Sequence, residues 1–483
     1  MRFIRPFAMR SFVIPPFAFL AAFLPGLLPL QAWAQLPDSM QRALNDARIP
    51  ASSVAVVVQG LEAPAPSISH NARQAMNPAS VMKLVTTFAA LDLLGPAYTW
   101  KTRVLTDAPA THGVLPGNLY LQGGGDPQFG SEHLWQLLRQ LRARGIERIA
   151  GDIVLDRSVF APVDFDPAAF DGKPLRPYNV GPNGLLLDFQ ALRFTVQPGE
   201  ARAPNLFLDS PVSGFTLDNQ LRLLEGACAD NWRDRIQLSL TQTQNGQRLT
   251  ATGDYARQCG ERSLSLSPLP ADKHAASLIV SVWQELGGRL GGRVRPGDTP
   301  AAAEVVLQYE SLPLSQAVQG VNKFSNNVMA RQVFLSLDAG AAPATTAGAG
   351  RRIQAWLASL GLDCPELVLD NGSGLSRRER ISAASLNALL HAAWLRPAMP
   401  EFLASLPLAG IDGTMKKRLK DSAASGRARI KTGYLNGVRA AAGYVFDAQG
   451  GRHAVSVIIN DARAAEGAPA IDALLDWVAE GGH

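Results

Sequence analysis

The spacing of apolar residues divides the chain into predicted helices and strands. A short helix is predicted over residues 36–49, and a valine-rich strand over residues 52–60. The apolar run Leu84–Leu94 has helical spacing, and it follows Pro78, which disfavours helix in the residue before it. The pattern therefore predicts a helix whose first turn contains Ser80.

The pattern changes after residue 97, where shorter elements alternate with turns. A helix is predicted at 131–144, and strands are predicted at 101–106, 118–122 and 149–156. Helical periodicity is weak from 188 to 267, and the short alternating segments there predict a small β-rich module. Those segments are Leu192–Val196, Gln220–Leu224, Ile236–Thr241 and Arg248–Thr252.

Helical patterning returns at 271–286 and continues to a hairpin at 438–460, which a last helix at 469–479 follows. A chain of 483 residues exceeds the usual size of one domain. We therefore predict an α/β (α+β) protein in which one domain, formed by both ends of the chain, is split by a large insertion. The predicted parts are this split domain at 35–96 and 271–483, an inserted domain II at 97–187 and 253–270, and a nested β-rich domain III at 188–252.

The first 34 residues are typical of an export signal. Three arginines precede an apolar stretch at 11–30, and Ala32-Trp33-Ala34 supplies a small-x-small cleavage pattern. We predict cleavage after Ala34 and a periplasmic protein. An uncleaved membrane anchor is the alternative, which the four prolines of the apolar stretch disfavour.

Charge then narrows the range of partners. The formal net charge of +5 falls to +2 when the three arginines of the leader are removed. The composition therefore gives no reason to expect nucleic acid as a partner. No amphipathic basic helix stands out, so any membrane association is expected to be peripheral. The oligomeric state stays open.

The chain has three cysteines. Cys228 and Cys259 lie in the strand-rich middle section and could pair as a disulfide in an oxidising compartment. Cys364 is predicted to be a lone buried thiol. The cysteine spacings and the seven scattered histidines do not favour a zinc site.

The stretch Asn77–Lys83 contains the first candidate chemistry. Residues three apart lie on one helix face, so the Ser80 hydroxyl and the Lys83 amine can come within hydrogen-bond reach. A serine beside an amine is a nucleophile beside a base, provided that the lysine is desolvated enough to lose its proton near neutral pH. Taken alone, such a pair is more often a helix cap beside a solvated lysine.

Two further motifs change that interpretation. Ser325-Asn326-Asn327 lies on a predicted loop-to-helix junction, and Lys431-Thr432-Gly433 lies on a strand that leads to the C-terminal hairpin. S-x-x-K, S-x-N and K-T-G, in that order, are the signature of serine β-lactamases and penicillin-binding proteins. Ser325 follows Ser80 by 245 residues. This long insertion resembles the low-molecular-mass class C penicillin-binding proteins, the D-alanyl-D-alanine carboxypeptidase/endopeptidase family S13.

The resemblance covers essentially the whole mature chain and includes Gly123–Pro127, Asn322–Arg331, Asp370–Arg377 and Lys431–Leu435. It implies that the split domain is a β-lactamase/transpeptidase-like catalytic domain, an antiparallel sheet flanked by helices plus a helical part. The implied activity is that of a serine DD-peptidase that acts on peptidoglycan stem peptides. The implied reactions are removal of the terminal D-alanine, cleavage of D-Ala-meso-diaminopimelate cross-links, or both. It also implies covalent inhibition by β-lactam antibiotics, and no metal or organic cofactor.

The resemblance further implies a catalytic role for several residues. Ser80 would be the nucleophile that the penultimate D-alanine carbonyl acylates, and Lys83 would be the base that takes its proton. Ser325 would relay a proton to the departing D-alanine amine, and Asn327 would orient Lys83 and the substrate amide. Lys431 would help to hold down the pKa of Lys83.

Substrate contacts are implied as well. Lys431 and Thr432 would lie beside the terminal carboxylate, and Gly433 would leave room for a peptide along the strand edge. The backbone N–H groups of Ser80 and Tyr434 would form an oxyanion hole. Arg377 is a candidate for substrate contact, and a purely structural loop at 370–377 is the alternative.

Two other functions compete with the peptidase. A β-lactamase would share the acylation step, but the long insertion and the absence of an obvious deacylating glutamate disfavour it. A catalytically idle penicillin sensor or peptidoglycan scaffold would not need an acylation apparatus. The seven histidines have no nucleophile-elbow context, which disfavours a Ser-His-Asp hydrolase.

Overall fold

A computed structural model describes residues 35–210, 212–244, 246–340 and 342–482. The predicted leader, residues 1–34, lies outside the described residues. The helices are α1 (Asp38–Asp46), α2 (Lys83–Leu93), α3 (Ser131–Ala143), α4 (Ala271–Glu285), α5 (Leu314–Lys323), α6 (Asn327–Ser336), α7 (Thr346–Ser359), α8 (Ala383–Trp394), α9 (Met399–Ser405) and α10 (Ala468–Ala479).

The strands belong to several sheets. They are β1 (Val54–Gly60), β2 (Ile68–His70), β3 (Lys101–Thr106), β4 (Val114–Leu115), β5 (Leu119–Gln122), β6 (Arg148–Ile149), β7 (Ile153–Asp156), β8 (Leu192–Gln197), β9 (Asn205–Leu208), β10 (Phe215–Leu224), β11 (Ile236–Thr243), β12 (Gly246–Ala256), β13 (Arg262–Leu266), β14 (Arg289–Leu290), β15 (Val294–Pro296), β16 (Glu304–Glu310), β17 (Ala428–Leu435), β18 (Val438–Phe446) and β19 (Arg452–Asn460).

The central sheet joins the two ends of the described chain. Its strand order is β17-β18-β19-β1-β2, and every pair is antiparallel. Side chains alternate between its two faces, so Val57 packs into one core and Val56 into the other. Helices cover both faces, which explains why β1 is a continuous run of buried residues and not an apolar-polar alternation. The predicted antiparallel sheet flanked by helices is confirmed.

Helix α2 lies in the middle of the core on one face of this sheet. Residues Lys83–Leu91 are all buried, and α5, α6, α8 and α9 pack around the helix. A helix that is apolar nearly all round is stable only inside a core. Its buried polar groups are paired, since the Thr87 hydroxyl donates to the Lys83 carbonyl at 2.7 Å. The helix that carries Lys83 is therefore fixed on all sides.

A second five-stranded sheet has the order β15-β7-β5-β3-β16 and packs on α3 and α4. Strand β16 pairs with β3, and β15 pairs with β7. The predicted restart of the catalytic domain at residue 271 disagrees with this pairing, because residues 271–310 complete the sheet and core of the inserted segment. The pairing favours a boundary near residue 310.

The β-rich module contains two three-stranded sheets, β10-β12-β11 and β13-β8-β9. The predicted segments coincide with β8, β10, β11 and β12, although the last three strands are longer than predicted. Strand β12 continues to Ala256, past the predicted limit at residue 252, and β13 pairs with β8. Two segments on either side of this limit thus share one core.

Cys228 and Cys259 form a disulfide with an S–S distance of 2.02 Å, in the pairing that the sequence predicts. Cys259 is buried beside Tyr255 in a small core of the module. Cys364 is a free thiol and is half-buried, where the sequence predicts full burial. The disulfide links the segment after β10 to the 3₁₀ turn Arg257–Cys259 that follows β12.

We expect the double change Cys228→Ser, Cys259→Ser to lower the free energy of unfolding by about 2–4 kcal/mol, because the bond closes a loop of 31 residues in the unfolded chain. Denaturant unfolding of the parent and the variant measures the loss. Cys364→Ser is the matched control and should leave the midpoint nearly unchanged. Alkylation of all three cysteines without reductant would contradict the expectation.

Within the described ranges no helix combines the length and apolar character that a membrane span requires.

Candidate active site

Ser80 lies in a strained turn at the start of α2. Residues Ala79–Met82 form a 3₁₀ turn that leads directly into the helix, and Ala79 has a positive φ of 47°. The Asn77 side chain accepts a hydrogen bond from the Ala79 N–H at 2.8 Å and donates to the Ser376 carbonyl at 2.8 Å. Backbone strain of this kind persists only where neighbours hold it, and it is concentrated at functional sites. The turn fixes the Ser80 hydroxyl relative to α2.

Lys83 is one helical turn further on and is fully buried. Its Nζ lies 3.0 Å from Ser80 Oγ and 2.6 Å from Asn327 Oδ1, and it also donates to the Ser373 carbonyl. Two of these oxygens can only accept, so the amine can direct its N–H bonds at them and its lone pair at the Ser80 hydroxyl. This is the geometry that a general base for Ser80 requires.

Ser325 occupies the turn between α5 and α6. It has a positive φ of 56°, and the Asn326 side chain caps α6 by accepting from the Met329 N–H at 3.1 Å. The capped helix begins with Asn327, so that side chain is aimed at Lys83. The loop-to-helix junction predicted at Ser325–Asn327 is present in the structure. It brings Ser325 and Asn327 to the site that contains Lys83.

Lys431 lies on β17 and is also fully buried. Its Nζ donates to Ser325 Oγ at 3.0 Å and to the Thr432 carbonyl at 2.8 Å. Ser80, Lys83 and Asn327 thus form one chain of contacts, and Ser325 and Lys431 form a second. The structure brings all five predicted catalytic residues into one locality.

The two buried lysines have lowered pKa values. Burial lowers the pKa of Lys431 to about 7. Burial, followed by the positive charges of Lys431 and Arg331, holds the pKa of Lys83 well below its usual value, while Glu379 opposes that shift. A lowered pKa leaves a lysine amine neutral at a pH where an exposed lysine would be charged. This is the direction that a base at Lys83 requires.

Strand β17 is an edge strand of the central sheet. The Ile430 N–H donates to the Pro407 carbonyl, and the Ala428 carbonyl accepts from Ala409, so even-numbered residues direct their backbone groups away from β18. Because this direction alternates along a strand, the N–H groups of Thr432 and Tyr434 face the open edge. This edge is suited to pairing with an extended peptide.

Gly433 also allows close packing of β17 against the turn that carries Ser80. An added Cβ there would lie 2.5 Å from the Pro78 carbonyl oxygen, within the backbone that leads to Ser80. The absence of a side chain thus lets β17 approach the turn Ala79–Met82, which we call the nucleophile turn after the predicted nucleophile Ser80. This is in addition to the room for a peptide that the sequence predicts. The Tyr434 side chain is exposed, and the Arg439 guanidinium lies 4.3 Å from the centre of its ring.

Arg377 lies outside the cluster of catalytic side chains. Its guanidinium donates to the Asn436 carbonyl at 2.8 Å and lies 5.0 Å from the centre of the Phe170 ring. Both contacts hold the 370–377 loop in place. They favour the structural alternative for this loop over substrate contact by Arg377.

Sequence reasoning missed several residues of the site. The Ser373 carbonyl accepts from Lys83, and Gly374 packs so closely on the nucleophile turn that an added Cβ would lie 2.0 Å from the Ala79 carbonyl oxygen. The Thr414 hydroxyl lies 2.8 Å from the Thr432 hydroxyl. The two glycines in Asn371–Gly374 are a signal that could have indicated close packing, since both have positive φ. No such signal marks Thr414.

No group of three or more His, Cys, Asp or Glu side chains suitable for a metal ion occurs among the residues that the structure describes.

Comparisons with known proteins agree with this geometry. The chain is 29% identical over 431 residues to a D-alanyl-D-alanine carboxypeptidase of Actinomadura sp. (strain R39), an alignment that covers 85% of this chain and 78% of the relative. It is 27% identical over 399 residues to the D-alanyl-D-alanine carboxypeptidase DacB of Haemophilus influenzae, covering 81% of this chain and 82% of the relative.

A similar fold has been solved. The crystal structure of penicillin binding protein 4 from Haemophilus influenzae has a TM-score of 0.75 at 23% identity, covering 92% of this chain and 99% of that one. The same protein has been crystallised with a β-lactam, with a TM-score of 0.69 at 24% identity, covering 87% and 93% of the two chains. The predicted β-lactamase/transpeptidase-like fold class is confirmed.

The D-Ala-D-Ala carboxypeptidase 3 (S13) family matches residues 36–480. This match covers nearly the whole described chain, including the nucleophile turn, the insertion and the C-terminal hairpin. The chain therefore belongs to the D-Ala-D-Ala carboxypeptidase 3 (S13) family and is a serine-type D-Ala-D-Ala carboxypeptidase.

Proposed function

We propose that this enzyme cleaves peptidoglycan stem peptides after the penultimate D-alanine through an acyl-enzyme on Ser80. The observation that carries the proposal is the fully buried Lys83 amine, 3.0 Å from the Ser80 hydroxyl oxygen. A buried amine that touches a serine and has a lowered pKa is an activated nucleophile pair. A binding module would gain nothing from such a pair.

Acylation begins with transfer of the Ser80 proton to Lys83. Ser80 Oγ attacks the carbonyl carbon of the penultimate D-alanine, and the oxyanion accepts hydrogen bonds from the N–H groups of Ser80 and Tyr434. Each such donor stabilises a tetrahedral intermediate by about 3–4 kcal/mol in comparable sites. The bond between the carbonyl carbon and the D-alanine nitrogen then breaks as Ser325, in contact with Lys431, passes its proton to that departing amine. The proton that Lys83 took from Ser80 replaces the one that Ser325 gave up, so Lys83 is neutral again. Asn327 keeps Lys83 in place through its 2.6 Å contact.

Lys431 and Thr432 bind the terminal carboxylate of the substrate. The Lys431 amine has a pKa of about 7 because of burial. A carboxylate beside it favours the charged form and raises its pKa, so substrate binding completes the ion pair. Thr414 extends this contact, because its hydroxyl lies 2.8 Å from that of Thr432. The peptide backbone lies along the free edge of β17.

Water then hydrolyses the acyl-enzyme and releases the shortened stem peptide. A β-lactam acylates the same serine, in keeping with the β-lactam complex of the Haemophilus influenzae protein. The acyl-enzyme formed from a β-lactam is expected to be long-lived, and rapid hydrolysis of penicillin would instead indicate a β-lactamase. Cleavage after D-alanine gives a carboxypeptidase when one D-alanine leaves, and an endopeptidase when a cross-linked peptide leaves.

The place of action and the domain division belong to the same proposal. A substrate in the cell wall requires export, which the leader at residues 1–34 provides. We place the catalytic domain at 35–96 and from about 311 onward, since β16 pairs with β3 of the inserted segment. The β-rich module then extends from about 188 to 266, to include β13.

Purified muropeptides test the proposal. We expect monomers with pentapeptide stems to lose one D-alanine, and mass analysis of the products measures this loss. Cross-linked dimers in the same incubation measure the endopeptidase reaction. The Ser80→Ala variant is the matched blank. The scaffold alternative is favoured if the folded parent changes neither substrate. The same muropeptide sample must then be cleaved by another active peptidase, which shows that the substrates are intact.

A further inference from the structure

A fully buried carboxylate lies in the loop beside the catalytic lysine, and none of the steps above uses it. Glu379 has no exposed surface. Its Oε1 accepts hydrogen bonds from three successive backbone N–H groups, those of Asp370 at 3.3 Å, Asn371 at 3.1 Å and Gly372 at 3.0 Å. Burial raises the pKa of this carboxyl, and the three backbone N–H groups oppose that shift because they favour the charged form.

The loop that surrounds this carboxylate is closed at its base. Val368 and Arg380 exchange backbone hydrogen bonds of 2.9 and 3.1 Å, so residues 369–379 form a closed loop. The Glu379 side chain turns back into the loop and fills its interior. Its Oε2 has no hydrogen-bond partner among the described residues. Burying a carboxylate with an unpaired oxygen costs folding free energy, so its presence indicates a role beyond closing a turn.

The opposite side of the same loop contacts α2. The Gly372 carbonyl accepts from the Thr86 hydroxyl at 2.7 Å, and the Ser373 carbonyl accepts from Lys83. The N–H side of the turn is therefore held by Glu379, while its carbonyl side is presented to the catalytic helix. A shift of the turn would move the carbonyl that orients the Lys83 amine.

We propose that Glu379 is a positioning residue for Lys83, because it fixes the Asp370–Ser373 turn so that the Ser373 carbonyl orients the catalytic amine. The inference rests on the proposed role of Lys83 as the base. It extends that role to a side chain that touches neither Ser80 nor the substrate.

Charge supports the same assignment. The charged groups that face Lys83 are Lys431 from β17, Arg331 from α6 and Glu379 from the loop. The two cations lower the pKa of Lys83, and Glu379 alone among the three raises it. Glu379 itself is faced by Arg331 and Asp370. Its negative charge therefore limits how far the two neighbouring cations depress the basicity of Lys83.

The decisive variant is Glu379→Gln, which keeps the size and one acceptor oxygen but removes the charge. The chain contains nine lysines, so the Lys83 titration can be followed by NMR with ¹³C-labelled lysine. We expect that titration to move to lower pH in the variant. The acid limb of penicillin acylation should move the same way, since Lys83 must be neutral to accept the Ser80 proton.

Glu366→Gln is the matched control. Glu366 Oε1 accepts from the Ser382 N–H at 3.0 Å and from the Ser385 hydroxyl at 2.6 Å, so it holds a neighbouring segment in the same manner. It is not among the charges that act on Lys83. Its change should leave both the Lys83 titration and the acylation profile as in the parent. A folded Glu379→Gln protein with both unchanged would overturn the inference.

If Glu379→Gln does not fold, a second variant tests the inference. Glu379→Asp keeps the charge but shortens the side chain, so it should lower the maximal acylation rate about tenfold while leaving the Lys83 titration close to that of the parent. An unchanged rate would overturn the inference. The two proposals remain separable, because the NMR titration does not require catalysis. A parent that penicillin does not label refutes only the proposed function.

Discussion

Ser80→Ala should abolish covalent labelling by penicillin and lower the hydrolysis of stem peptides by a factor on the order of 10³–10⁶. The change removes the only atom that forms the acyl bond in the proposed mechanism, and it leaves Lys83, Asn327 and the strand edge in place. Labelled penicillin followed by peptide mapping measures the first effect, and product analysis of muropeptides measures the second.

The fold should survive this change, because Ser80 lies in a turn that other groups hold. Asn77 binds the Ala79 N–H through its own side chain, and Gly374 packs against the same backbone. Ser359→Ala is a suitable control, since the Ser359 hydroxyl donates to the Trp356 carbonyl at the end of α7. Persistent labelling of Ser80→Ala would show that another residue is the nucleophile.

The five candidate catalytic residues could be predicted because they lie in three short motifs that occur in a fixed order along the chain. Two of the three motifs lie where a helix begins, at α2 and α6, and the third lies within β17, so the local structure of each follows from the sequence pattern. Pro78 and the apolar run place Ser80 before α2, and Asn326 supplies a recognisable cap before α6. The distances between the motifs required the fold, since Ser325 and Lys431 are 106 residues apart.

The domain boundaries depend on which strands pair, and the sequence pattern does not give that. Periodicity identifies a strand but carries no information about its partner. Strand β16 has an apolar pattern that would suit either sheet, and only its register with β3 assigns it to the inserted segment. The same holds for β13, in which Leu266 pairs with Leu192 of β8 although the two residues are 74 positions apart in sequence.

The sequence gives no indication that Glu379 is buried. A glutamate between two arginines has the pattern of a solvated surface turn, Arg378-Glu379-Arg380. Its burial follows from the closure of the loop at Val368 and Arg380, a pairing across twelve positions. Thr414 is similar, because its contact with Thr432 depends on how a loop folds over the start of β17.

Lys83→Met should reduce the rate of acylation by about 10²–10⁴-fold, which is the usual contribution of a general base. Methionine has nearly the same length and fits the buried site, but it cannot accept the Ser80 proton. Stopped-flow measurement with a chromogenic β-lactam gives the rate. Lys101→Met is the control, because Lys101 is exposed and lies 3.7 Å from Glu310, and its change should have no effect. Undiminished acylation in Lys83→Met would mean that another group is the base.

Stability gives an independent check on the same variant, because it depends on proton binding and not on catalysis. The lowered pKa of Lys83 means that the unfolded chain binds more protons than the native enzyme between that pKa and the usual 10.5. The free energy of unfolding of the parent therefore gains up to about 1.4 kcal/mol per pH unit from this residue as the pH rises through that window. Lys83→Met lacks that gain, while Lys431 contributes to both proteins alike. Denaturant unfolding across this pH window should thus show that the free energy of unfolding of the variant falls further below that of the parent as the pH rises. Parallel curves of this free energy against pH would mean that Lys83 stays charged in the native enzyme and is not the base.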